Sequence, residues 1–362
     1  MDALCQWTSE KRTKETLLAL MKRPAPSQMG ADLRGRYIEE TLRQWGTLNH
    51  DGVAWHRDWK GTGNGVLQLG DSNAVPIWFL AHWDTIGFMV GPYQEEMGYR
   101  LTPFFHHFMT SGQEPGIVFG YSESTGEVGV VTKGTIIGGD PAYFRPKDQD
   151  VELVPGMRVA FDCPAEDLGS GFLRGQLDDA LGCAAQMLAA GFLADKGGVP
   201  ALFAFTDEEE GPVATGTTSF SRGSARLIHR LPPPQAAFVS DCHRVGANGQ
   251  GPQMGDGALA CEFASAAKGG VTPPWLWVET MRYMKQYQRW VKLHVNTHGS
   301  CSRSDCIRLM EVTPNILLWS AAAPGGRHFH GGANTCSISD VAHLARAMVL
   351  AALWARDYPW PE

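Results

Sequence analysis

Residues able to bind a cation recur at the ends of apolar runs in this chain. His82 and Asp84 follow one such run in "VPIWFLAHWD", and Asp207, Glu208, Glu209 and Glu210 follow another in "ALFAFTDEEEG". Asp241 closes "AAFVSD", His328 and His330 lie just beyond "NILLWSA", and Asp178 and Asp179 open an apolar helical stretch in "QLDDALG". Two histidines and several carboxylates, with no thiolate among them, suit Zn²⁺ or a harder divalent ion. Three carboxylates set three negative charges against the four positive charges of two divalent ions, and a bound hydroxide would complete neutrality. Such a pair, roughly 3.5 to 4 Å apart, can activate water and polarise a carbonyl. Taken singly, each residue has a plainer reading: a strand-end histidine can be a surface group, "DEEEG" a solvated turn, Asp178 or Asp179 a helix cap. Their joint recurrence at four strand ends and one helix start is what points to a metal site.

The elements that must position these residues follow from the apolar periodicity. "KETLLALMKRPAP" and "GRYIEETLRQWG" show helical spacing, and "GVAWHRDW", "GNGVLQLG" and "VPIWFLAH" read as strands. From about residue 88 to 173 short β-like runs alternate with Gly and Pro, as in "GIVFGYS", "EVGVVTKGTIIGG" and "LVPGMRVAFD". The expectation is an α/β domain from residues 1–87 and 174–362, built on a mixed central sheet flanked by helices, with a small β-domain inserted at 88–173. After the insert, "DDALGCAAQMLAAGFLAD", "PWLWVETMRYMKQYQRWV" and "SISDVAHLARAMVLAALWARD" read as helices, and "PALFAFT", "AAFVSD" and "NILLWSA" as strands. Ligand sites in open α/β sheets form outside the carboxyl ends of the strands, where the cation-binding residues fall.

Composition narrows the class. A chain of 362 residues can bury a full core, and a net charge of −7 offers no basic footprint for nucleic acid. "MDALCQWTSEKRTKE" is too charged for a signal peptide, and no apolar run approaches the length of a membrane span. A soluble, cytoplasmic protein is expected, with its eight cysteines, none in a C-x-x-C pair, as reduced thiols.

The ordered set "HWD" (82–84), "LDDALG" (177–182), "DEEEG" (207–211), "VSD" (239–241) and "RHFH" (327–330) resembles the co-catalytic zinc aminopeptidases. It is most similar to the tetrahedral aminopeptidases, which include glutamyl, leucyl and lysyl aminopeptidases; "HWDTIGFMV" is very like that family's "HMDEIGFMV", and "SRSDC" at 302–306 resembles its Gly-Thr-Asp-Ala segment. The resemblance spans nearly the whole chain and implies a small β-barrel between the first two motifs. It further implies two divalent ions, zinc with cobalt or manganese as alternatives. His82 and Asp241 would bind one ion and Glu209 and His330 the other, with Asp178 bridging. Asp84 would orient the His82 ring, and Glu208 would be the general base. The register follows the family spacing: Gly182 lies four residues after Asp178, Gly211 two after Glu209, and Arg327 three before His330. Homo-oligomers, commonly a dodecamer built from dimers, and peptide substrates are implied as well.

The chain departs from the family pattern in reading "DDA" for "DDR" and "HGG" for His-Ser-Pro or His-Thr-Pro. Trp83 stands between His82 and Asp84 where a smaller residue is usual, and could fill or cap the substrate pocket. A carboxypeptidase or an N-acyl amino acid deacylase on the same scaffold, and a non-catalytic binding or assembly protein, are the competing readings.

Overall fold

The structure, a computed structural model, describes residues 1–70, 75–104, 109, 111–148, 150–197, 199–211, 221–245, 251–264, 269–296, 303–323 and 333–360. Eight strands form one mixed sheet in the spatial order Val53–His56, Gly65–Leu69, Ala201–Thr206, Ile77–His82, Ala236–Val239, Ile316–Ser320, Ala258–Cys261, Leu293–Asn296. The four in the middle run parallel, with Thr206 beside His82 and Val239 beside both Leu80 and Leu318. The ends of these strands therefore bring the cation-binding residues to one edge.

Parallel strands covered on both faces need side chains that tolerate burial in both directions. Ile77, Phe79 and Ala81 enter one core while Trp78 and Leu80 enter the other; Phe203 and Phe205 divide from Leu202 and Ala204 in the same way. The larger core is closed by the Glu10–Met21, Ala180–Lys196 and Ile338–Asp357 helices, the smaller by Arg222–Ile228 and Cys306–Leu309. The Ile338–Asp357 helix is, among the described residues, the only one long and apolar enough to cross a membrane, contrary to the sequence expectation that no segment is. Its apolar length is instead spent in the core, where Val341, Leu344, Ala345, Met348 and Ala352 are buried.

The inserted β-region closes a six-stranded antiparallel barrel running from Gly87–Gln94 to Arg158–Phe161. Of the next two strands, Glu166–Gly169 lies inside the span expected for the insert and Phe172–Gly175 straddles its end; they join Asn334–Ser337 in a separate small sheet. Every residue of Glu166–Gly169 is exposed, so it lacks the alternation that would mark a strand.

His343, on the Ile338–Asp357 helix, shows how tightly that helix is held. Its Nδ1 accepts the Lys292 N–H at 3.2 Å, and burial, with Arg346 and Lys292 nearby, pushes its pKa down to about 4. The folded chain thus binds fewer protons than the unfolded chain between that value and the ordinary one near 6.5. Its contribution is present above pH 6.5 and is lost as pH falls towards 4, by at most about 3 kcal/mol. Urea midpoints at pH 7 and pH 5 should therefore diverge less for His343→Gln than for the parent chain; equal divergence would contradict this role.

Candidate metal centre

His82 ends its strand and is buried, with Nδ1 3.0 Å from the Asp84 carbonyl oxygen and Nε2 3.0 Å from Asp178 Oδ1. Asp241, two residues beyond Val239, brings Oδ1 to 4.0 Å from the same Nε2. One ligand atom from each of His82, Asp178 and Asp241 thus falls within 4.8 Å of the other two. Three of the five expected ligands converge. With Nε2 protonated, His82 donates to Asp178; with the proton gone, the two atoms could serve as ligands of one cation.

The two aspartates of "LDDALG" divide the roles that the sequence left open between them. Asp179 caps the Ala180–Lys196 helix, accepting the Gly182 N–H at 3.0 Å, while Asp178 turns to His82. Gly182 has to be glycine, because a Cβ there would lie 2.1 Å from Ser240 Oγ and 2.2 Å from Asp179 Oδ2. The peptide between the two aspartates is cis.

Burial and mutual repulsion govern the electrostatics. Desolvation, then the nearby Asp178, holds Asp241 well above the usual carboxylate range. Burial does the same for Glu209, with Asp241, Glu210 and Asp305 adding to it and His82 opposing it, and raises Asp179 to about 7. Asp305 is also raised by burial; it accepts a hydrogen bond from Thr206 Oγ1. For His82 burial acts to lower the pKa, but Asp178, Asp84 and Glu209 outweigh it and leave it well raised. So many buried acids around one imidazole must take up protons or cations. Glu209 Oε1, buried and without a hydrogen-bond partner among the described residues, is a further open donor atom. The donor set fits divalent cations of the kind bound by nitrogen and oxygen.

The acidic turn after Ala201–Thr206 is pinned in a way the sequence did not disclose. Asp84 accepts the N–H groups of Glu209 and Glu210, both at 3.1 Å, and the Ser27 hydroxyl at 2.6 Å. Its carboxylate stands 3.6 Å from His82 Nδ1, so the atom orienting the ring is its main-chain carbonyl oxygen, and the carboxylate clips two loops together. Asp207 Oδ1 accepts from the N–H of Gln28 at 2.9 Å and of Glu208 at 2.7 Å, and Asn64 Oδ1 accepts the Asp207 N–H at 2.9 Å. Glu208 adopts a left-handed backbone with φ 55° and turns its carboxylate to Arg226 at 2.7 Å and Arg222 at 3.9 Å. Glu209 acts electrostatically on His82 and Asp241, and Glu210 acts on Asp241 as well.

Ser27, Gln28, Asn64 and Arg226 carry no sequence signal, since each acts through a main-chain contact or a partner distant in the chain. His330, with Arg327 and His328, lies outside the described residues. Trp83 does not cap a pocket: it is fully buried and packs near Phe205, with ring centroids 6.2 Å apart.

No protein-family model and no curated protein matches the sequence. Among solved structures, a TET aminopeptidase from Thaumarchaeota archaeon SCGC AB-539-E09 superposes with a TM-score of 0.75 at 16% identity, covering 94% of this chain and 96% of that one. An aminopeptidase from the archaeon Desulfurococcus kamchatkensis gives 0.73 at 15% identity, covering 96% of each chain. The TET1 peptidase of Pyrococcus horikoshii, described as assembling into a tetrahedron or a large octahedral shell, gives 0.68 at 18%, covering 94% and 99%. Over nearly its whole length the chain shares its fold with the TET aminopeptidases.

Proposed function

We propose that the chain is a metal-dependent aminopeptidase that removes N-terminal residues from peptides. The observation that carries this reading is the convergence of His82, Asp178 and Asp241 at the carboxyl ends of the central parallel strands, in a fold shared with known aminopeptidases. His82, Asp178 and Asp241 would hold one ion; Asp178, a glutamate of the acidic turn and His330 would hold the second. Two divalent ions so held, zinc in this reading, supply an acidified water and a polarised carbonyl.

The chain must itself provide the carrier that takes a proton from the water and delivers it to the leaving amine. The motif spacing gives that task to Glu208, with Glu209 as ligand. The geometry favours a register one residue later, with Glu209 as base and Glu210 as ligand. Glu208 is committed to Arg226 at 2.7 Å, which turns its carboxylate to the arginine. Glu209 Oε1, by contrast, is buried with no hydrogen-bond partner among the described residues. Asp84 supports this register by holding the N–H groups of both Glu209 and Glu210.

Homo-oligomeric assembly is part of the proposal, on the strength of the shells reported for the Pyrococcus horikoshii peptidase, as is a cytoplasmic setting. Titrating chelator-treated protein with zinc tests the site: uptake of two equivalents together with zinc-restored hydrolysis of an aminoacyl anilide is expected. Restoration of hydrolysis by a single equivalent would contradict the two-ion site.

A further inference from the structure

Trp83 sends its indole into a slot that three glycines leave open. A Cβ at Gly30 would lie 2.1 Å from Trp83 Nε1, and Cβ atoms at Gly65 and Gly35 would lie 2.6 and 2.9 Å from Cζ3. With the indole fixed, the carbonyl between His82 and Asp84 faces Arg34. This guanidinium is fully buried: Nη1 donates to Trp83 O at 3.0 Å, Nε donates to Arg23 O at 3.1 Å, and Nη2 has no hydrogen-bond partner among the described residues.

An arginine keeps its charge inside a protein, and burying it without a compensating anion costs several kcal/mol. These two hydrogen bonds of Arg34 reach carbonyl oxygens, not carboxylates. Burial acts to lower the guanidinium's pKa, and it is opposed by Cys183 and by Asp179, Asp84 and Asp178 of the adjoining acid cluster. Arg226 and Arg222, at the acidic turn, are turned to Glu208.

We propose that Arg34 is a positioning residue that serves as a resident counter-cation. Its fixed charge beneath the His82–Asp84 turn holds the crowded carboxylates in place before metal ions arrive, and becomes dispensable once they are bound. The inference rests on the reading of the cluster as a metal site.

Two variants separate charge from hydrogen bonding. Arg34→Gln keeps an N–H donor and loses the charge; Arg34→Lys keeps the charge and loses the fork. The quantity to read is the gap between the Tm of zinc-loaded and chelator-treated protein. Arg34→Gln should widen the gap by about 4 °C or more through a drop in the chelator-treated state, with Arg34→Lys staying near the parent value. A chelator-treated Arg34→Gln protein that cannot fold, beside a zinc-loaded one that can, is the same result at its limit. Equal shifts of both states in Arg34→Gln, equal widening in both variants, or failure of Arg34→Gln to fold even with zinc would each overturn the inference. A parent chain with no gap would instead sink the metal reading, and this inference with it.

Discussion

Glu209→Gln should lower turnover by about two to four orders of magnitude, the usual worth of a general base, while the protein keeps its bound metal. Glu208→Gln should cost less than about tenfold, because that carboxylate is engaged with Arg226 and Arg222. The amide preserves shape and removes only the ability to take a proton. Single-turnover rates alongside metal content separate the roles, since a lost ligand lowers both and a lost base lowers the rate alone. If Glu208→Gln is the inactive, metal-replete variant, the register given by the motif spacing is the right one and Glu209 is a ligand.

Asp178→Asn should abolish metal uptake and turnover together without unfolding the protein. Asp178 is the carboxylate nearest His82 and adds to the raised pKa of Asp241, so its removal relieves repulsion in the chelator-treated chain. That state should be at least as stable as the parent in the same condition. What should vanish is the stabilisation gained from zinc, about 4 kcal/mol at a thousandfold excess over Kd. Zinc-dependent stabilisation persisting in Asp178→Asn would show that the bridging assignment is mistaken.

The parallel centre of the sheet was legible because strands buried on both faces are nearly continuous apolar runs. "VPIWFLAH" and "PALFAFT" end where the strands end, and the candidate metal ligands stand at or just beyond those ends. The barrel was legible as a change of texture, with its first strand starting at Gly87. Less visible were Ala258–Cys261, Leu293–Asn296 and Arg222–Ile228, which are too short to show a period. Three glutamates in a row cannot be placed by residue type. What residue type does not show is the main-chain clamp on the turn, in which Asp84 accepts the N–H groups of Glu209 and Glu210. Trp83 shows the same limit from the other side: its neighbours in sequence place it at a pocket, whereas glycines 18 to 53 residues away open a slot for it in the core.

The most direct test of the central claim is mass-spectrometric digestion of a mixed pool of free-amine and N-acetylated peptides, by zinc-loaded and by chelator-treated protein. The account predicts stepwise loss of single N-terminal residues from the free-amine peptides only, and only with metal present. Cleavage from the C-terminus, release of acetyl groups, or no trimming by zinc-loaded protein would contradict it.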